Sequence, residues 1–187
     1  MKKLFLFSTA ILISVFTFFS CSKKSDPVPQ EQELITTLQL FVTDSNGVEK
    51  IFQYKVINGF GSDSSVVEID TIKLKANTTY SVVTKLLNEK VNPIEDVTQE
   101  VIDENTKHLF LYNSIPATGA GSIQSFDGNK DDANLPFNQT IKWKTDLAGQ
   151  GNMGVYLIHL PAVKNGITLE AVGGTTDVEA IFPIILE

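Results

Sequence analysis

From Leu34 onward, apolar side chains return at every second position. Leu34, Leu38, Leu40 and Val42 share one parity, and Phe52, Tyr54 and Val56 alternate with Gln53 and Lys55. Tyr80, Val82, Thr84 and Leu86 alternate with Ser81, Val83 and Lys85. A strand puts alternate residues on one face, so this period demands sheet with a buried side. The pattern continues through His108, Phe110 and Tyr112, which alternate with Leu109 and Leu111. In "QTIKWKTD", Ile141, Trp143 and Thr145 oppose Lys142 and Lys144, a half-buried strand. "MGVYLIHL" is apolar on both faces and predicts a central strand.

Turn chemistry separates these runs. Asp44-Ser45-Asn46-Gly47 predicts a hairpin. Ile69 and Ile72 fall on opposite parities, so a bulge or break is expected at Asp70. Weaker strands are expected at 123–126 and 167–172. A last strand at 178–186 contains Pro183, which suits a sheet edge. One segment changes period: Asn92 can cap, Pro93 suits the first helical turn, and Ile94, Val97 and Val101 form a stripe at helical spacing. A short helix is expected near 93–104. About nine strands with one helix describe a single antiparallel Ig-like β-sandwich over residues 33–187.

Cys21 is the only cysteine, so no disulfide framework, thiolate metal cluster or catalytic cysteine belongs to that domain. It closes the run "KKLFLFSTAILISVFTFFSC", a positive end followed by an apolar stretch too short and too dilute to span a bilayer. "FFSC" resembles a bacterial lipobox, with Ser20 before the cysteine and Phe18 where Leu is usual. The resemblance implies a signal peptide over 1–20 and lipidation at Cys21. Residues 22–32, "SKKSDPVPQEQ", read as a tether. Ser22 does not resemble an inner-membrane retention signal, so an outer-membrane anchor is expected, with the face left open.

All 15 basic side chains are lysines. With Lys2 and Lys3 removed, 13 lysines stand against 22 acids, a net charge of −9. Such a chain makes a poor partner for nucleic acid or anionic lipid, so lipid and not charge is expected to hold it at the membrane.

"LKANTTYSV" is similar to the tyrosine corner of fibronectin type III sandwiches, with Leu74 six residues before Tyr80. The resemblance implies that the Tyr80 hydroxyl bonds back to the main chain. "GQGNMG" matches a dinucleotide fingerprint in letters but opens a β run, so it is expected to be a hairpin turn. His108 and His159 lie within apolar β runs, without ligand-spaced neighbours, and read as structural. In "DGNKDD", the oxygens of Asp127, Asn129 and Asp131, with Asp132 adjacent, have the alternate spacing of a calcium loop. The sixth-position glycine and the distal glutamate are missing, so a solvated acidic turn is the competing reading. Any metal there is expected to be Ca2+. "DTI" at 70–72 resembles a Bacteroidota O-glycosylation signal, and also reads as ordinary strand.

The chain as a whole resembles a set of uncharacterised Bacteroidota lipoproteins. "QELITTLQL", "LKANTTYSVVTKLLNE", "IKWKT" and "VYLIHLP" carry the resemblance. Some members bear a "type 1 periplasmic binding fold" label, which implies an α/β fold that the two-residue period contradicts. The family implies no catalytic residues. A binding or structural module with an unknown protein or glycan partner is therefore expected, and not an enzyme. A hydrolase with carboxylates on distant loops and a calcium-dependent adhesion module are the alternatives.

Overall fold

The computed structural model of the chain describes residues 34–61 and 66–187. Eleven strands run through them: β1 (Thr37–Thr43), β2 (Glu49–Val56), β3 (Val66–Ile69), β4 (Ile72–Leu74), β5 (Thr79–Asn88), β6 (Glu95–Asp96), β7 (His108–Ile115), β8 (Ile123–Phe126), β9 (Thr140–Thr145), β10 (Gly149–His159) and β11 (Thr175–Leu186). Two short helices, α1 (Thr98–Asp103) and α2 (Leu169–Val172), and a 3₁₀ turn, Asn105–Lys107, complete them. The chain is an all-β sandwich. A seven-stranded sheet, ordered β3-β2-β1-β5-β9-β8 with β6 also on β5, faces a four-stranded sheet, β4-β11-β10-β7.

The alternation dictates which face meets which. Leu38, Leu40, Val42, Val82, Leu86, Ile141 and Trp143 turn inward from the large sheet. They meet Phe110, Met153, Val155, Leu157, Val178, Ala180 and Phe182 from the small one. β10 is central, between β11 and β7. It is apolar on both faces because a second cluster covers the outer one: Leu109, Leu111, Tyr156 and Ile158 bury themselves under Val172 of α2.

Several expectations are corrected. The strands number eleven among the described residues, and β4 runs parallel to β11. The parity switch at Asp70 is where the chain leaves one sheet for the other: β3 belongs to the large sheet and β4 to the small. Asp70 anchors that crossing, accepting the Gln53 N–H at 2.8 Å on its carboxylate. The helix starts at Thr98, because Glu95 and Asp96 pair with Asn88 and Leu87 of β5 instead. Asp96, not Asn92, accepts the Thr98 N–H at 3.0 Å. Val97 and Val101 are buried as the stripe demands, while Ile94 is exposed.

The segment at 167–172 is helical. The Thr168 hydroxyl accepts the Ala171 N–H, and Gly173 ends the turn at a φ of 62°. Pro183 lies in a strand with β10 along one side, and β4 joins the other side only at 184–186. β11 is thus an edge over its first residues and interior at its end. "GQGNMG" is no turn. Its glycines lie inside β10, and the link from β9 to β10 passes between sheets. A Cβ on Gly151 would stand 2.5 Å from the Gly121 carbonyl oxygen and 2.7 Å from that of Ile115, so the missing side chains admit a neighbouring loop.

Candidate functional site

His108 and His159 face each other directly across the β7–β10 ladder. Each continues an inward-facing row, His108 after Phe110 and His159 after Leu157, so both stand where the core reaches one end of the sandwich. Their rings stack, with centroids 4.9 Å apart and planes 19° from parallel. Glu104, at the end of α1, is the third member. One ligand atom from each of Glu104, His108 and His159 lies within 4.8 Å of the others. It is a constellation that no linear spacing reveals, because 51 positions of chain separate the two histidines.

A hydrogen bond orients the His108 ring. His108 Nδ1 lies 3.2 Å from the main-chain oxygen of Glu104. A carbonyl only accepts, so Nδ1 carries the proton and Nε2 keeps its lone pair. Burial first, then the charges of His159 and Lys164, holds His108 below the usual histidine range, against the pull of Glu104. The neutral ring is therefore favoured. On His159, Nδ1 stands 4.0 Å from the Asp177 carboxylate. The buried Nε2 has no hydrogen-bond partner. Asp177 owes its position to a bulge. Leu157 pairs with Val178 and Ile158 with Thr176, which leaves Asp177 as the extra residue.

Beside the histidines lies a buried ion pair. Lys164 Nζ donates to Asp131 Oδ2 and to the Asn105 main-chain oxygen, both at 2.6 Å. The two side chains are 5% and 1% exposed. Asp131 Oδ1 accepts the N–H groups of Ala133 and Leu135. The residues read as a calcium loop have different partners. Asp127 pairs with Lys142, Asn129 Oδ1 accepts the Thr140 N–H, and Asp131 is committed to Lys164. Asp132 gives its N–H to the Asn105 side chain. The oxygens of this loop thus pin it to β9 and to Lys164, its Asp132 N–H reaches Asn105, and Asp131 is buried where a solvated turn was the competing expectation.

Tyr80 sits at the corner after β4 and accepts the Lys75 N–H at 3.0 Å, with Leu74 buried beside it in the core. A second tyrosine, Tyr112, bridges the sheets. Its hydroxyl donates to the Asn138 carbonyl at 3.0 Å and meets Thr84 Oγ1 of β5 at 2.7 Å. Burial pushes this phenol well above the usual tyrosine range.

The outer face of the large sheet is the other functional candidate. Register places Ile51, Phe41, Val83 and Thr140 in one cross-strand row, and Thr43, Ser81, Lys142 and Phe126 in another. Gln39, Gln53, Lys85, Lys55 and Lys144 share the face, as do Glu49, opposite Thr43, and Glu68, opposite Lys55. Lys85 lies over the Phe41 ring and Lys142 over Phe126. Lys55 and Lys142 have carboxylate partners in Glu89 and Asp127. Lys85 and Lys144 form no ion pair among the described residues.

Four surface depressions carry few acidic side chains. The lining of one contains Glu89, of another Asp44, of a third Asp146, and the fourth, under Asn152 and Pro183, has none. No helix of the described residues is long and apolar enough to cross a membrane. Cys21, the leader and the tether lie outside the described residues. No family model, curated protein or solved structure matches the chain.

Proposed function

We propose that this chain is a lipid-anchored β-sandwich of the cell envelope, fixed to the outer membrane through Cys21, and that it works as a binding module. Its partner is an acidic glycan held on the outer face of the seven-stranded sheet. The observation that carries this reading is a pair of lysines, Lys85 and Lys144, without ion pairs among the described residues, on a sheet face that also presents aromatic rings. Lys55 and Lys142 share that face with Glu49 and Glu68 and are paired with Glu89 and Asp127. Phe41 and Phe126 lie between the lysines, with glutamines and small hydroxyl residues around. Lysine supplies attraction to a sugar carboxylate, and the aromatic rings and amides supply contact area and hydrogen bonds. Whole-chain charge predicts repulsion of acidic partners. The local face favours them, because screening in salt confines each charge to about 8 Å.

The test is electrophoresis of the full chain in gels containing a uronic-acid polysaccharide, and in gels containing its carboxyl-reduced form. The expected result is retardation by the acidic polymer alone, weakening with salt and lost in Lys85→Glu/Lys144→Glu. Equal retardation in both gels, or none in either, removes the reading. Tight binding instead to a protein from the same membranes, insensitive to the two lysines, points to a protein partner. The anchor is tested separately, by palmitate incorporation that disappears in Cys21→Ala.

A further inference from the structure

We infer that Glu104, His108 and His159 form a binding site for a divalent transition ion of the zinc class, independent of the sheet face proposed above. The geometry supplies what such an ion needs. Ligand atoms of the three side chains lie within 4.8 Å of one another. A zinc ion about 2.1 Å from each donor sets them roughly 3.4 Å apart in a tetrahedron, so small rotamer shifts close the site. The Nδ1 proton that His108 gives to the Glu104 carbonyl leaves the Nε2 lone pair of that ring free, and His159 Nδ1 stands 4.0 Å from the Asp177 carboxylate. His159 Nε2 is buried with no hydrogen-bond partner, which is costly for a lone pair in a protein interior and is relieved by a metal.

The surroundings agree with that chemistry. A carboxylate next to the non-ligating nitrogen of a histidine is the usual outer support of a zinc ligand, and the bulge in β11 aims Asp177 there. The nearby cations are matched: Lys164 by Asp131 and Lys107 by Glu104. Two imidazoles and a carboxylate suit zinc and its neighbours, not calcium. The fourth position is left for water, and Glu104 and His159 are the partly exposed members through which an ion enters. Lys107, 2.6 Å from the Glu104 carboxylate, competes with the metal and lowers affinity without occupying the imidazoles. A bound ion ties the end of α1 to β7 and β10.

The experiment is zinc titration of the untagged full chain against a chromophoric chelator, with Co2+ absorption as a report on geometry. One zinc per chain is expected, together with the visible bands of low-coordinate Co2+. His159→Gln and Glu104→Gln are each expected to weaken binding by at least about tenfold, and Asp177→Asn by about tenfold. Cys21→Ala should leave it unchanged. The wild-type chain supplies a readout that does not depend on a variant folding: its melting midpoint should rise with Zn2+ over EDTA, and not with Ca2+ or Mg2+. Failure of the wild-type chain to bind zinc overturns the site. So does a His159→Gln chain with unchanged stoichiometry and affinity. Loss in His159→Gln with none in Glu104→Gln overturns the three-ligand centre.

Discussion

Lys164 is a cation almost wholly out of water, and its two bonds decide what happens when it is changed. Lys164→Met leaves the Asp131 carboxylate buried without its counter-charge, and should destabilise the chain by about 3–5 kcal/mol. Urea unfolding measures this. Adding Asp131→Asn removes the stranded charge and keeps an acceptor for the Ala133 and Leu135 N–H groups, so the double variant should recover more than half the loss. An equal loss in both chains would mean the pair is not electrostatically coupled. Acid makes the same point. Burial opposes ionisation of Asp131, but Lys164 and the backbone donors outweigh it and hold the carboxyl below its ordinary value near 3.8. A depressed carboxyl stabilises the fold above the unfolded value, and that stabilisation is lost as pH falls through the folded one. Urea midpoints should therefore fall more steeply below about pH 4 in the wild-type chain than in Asp131→Asn. Tyr80→Phe acts through one bond, the Lys75 N–H at the corner, and should cost on the order of 1 kcal/mol.

Elements explain which features could be read in advance. The alternation in β5 and β9 is complete, because each presents one face to the core and one to solvent, while β1 and β2 lose it at their first residues, where Thr37 is buried and Lys50 exposed. β10 was legible as central, since its outer face is buried too, though nothing local announced that α2 is what buries it. The early end assigned to the helix failed on long-range pairing: Glu95 and Asp96 have helical neighbours in sequence but β5 beside them in space. The histidine pair was illegible for the same reason. It is made by ladder register between β7 and β10, and register is a property of two segments together. "GQGNMG" was misread because a glycine in a strand and a glycine in a turn look alike until the neighbour is known. Gly151→Ala tests that neighbour. The added methyl meets two carbonyl oxygens of the main chain, which yield less readily than side chains, so a loss of about 1–3 kcal/mol is expected in thermal or urea unfolding. An unaltered midpoint would show that the 116–122 loop moves aside freely.

Across the whole molecule, the two sheets share one core. Trp143, the only tryptophan, is fully buried from the large sheet and contacts Tyr112 of the small one at 6.0 Å between centroids. Its fluorescence therefore reports the interface, while far-UV circular dichroism reports strands everywhere. The two signals should trace one urea transition with a common midpoint. Separate midpoints would mean that the sheets come apart before they melt. The β4–β11 pairing has a consequence for synthesis. It joins residues 72–74 to 184–186, more than a hundred positions further along. β7 and β10 can pair earlier, but β4 has no partner within that sheet until the ribosome has delivered residue 186. The large sheet can begin to form from the first half of the chain, whereas the last seam of the small one closes only when synthesis is almost complete.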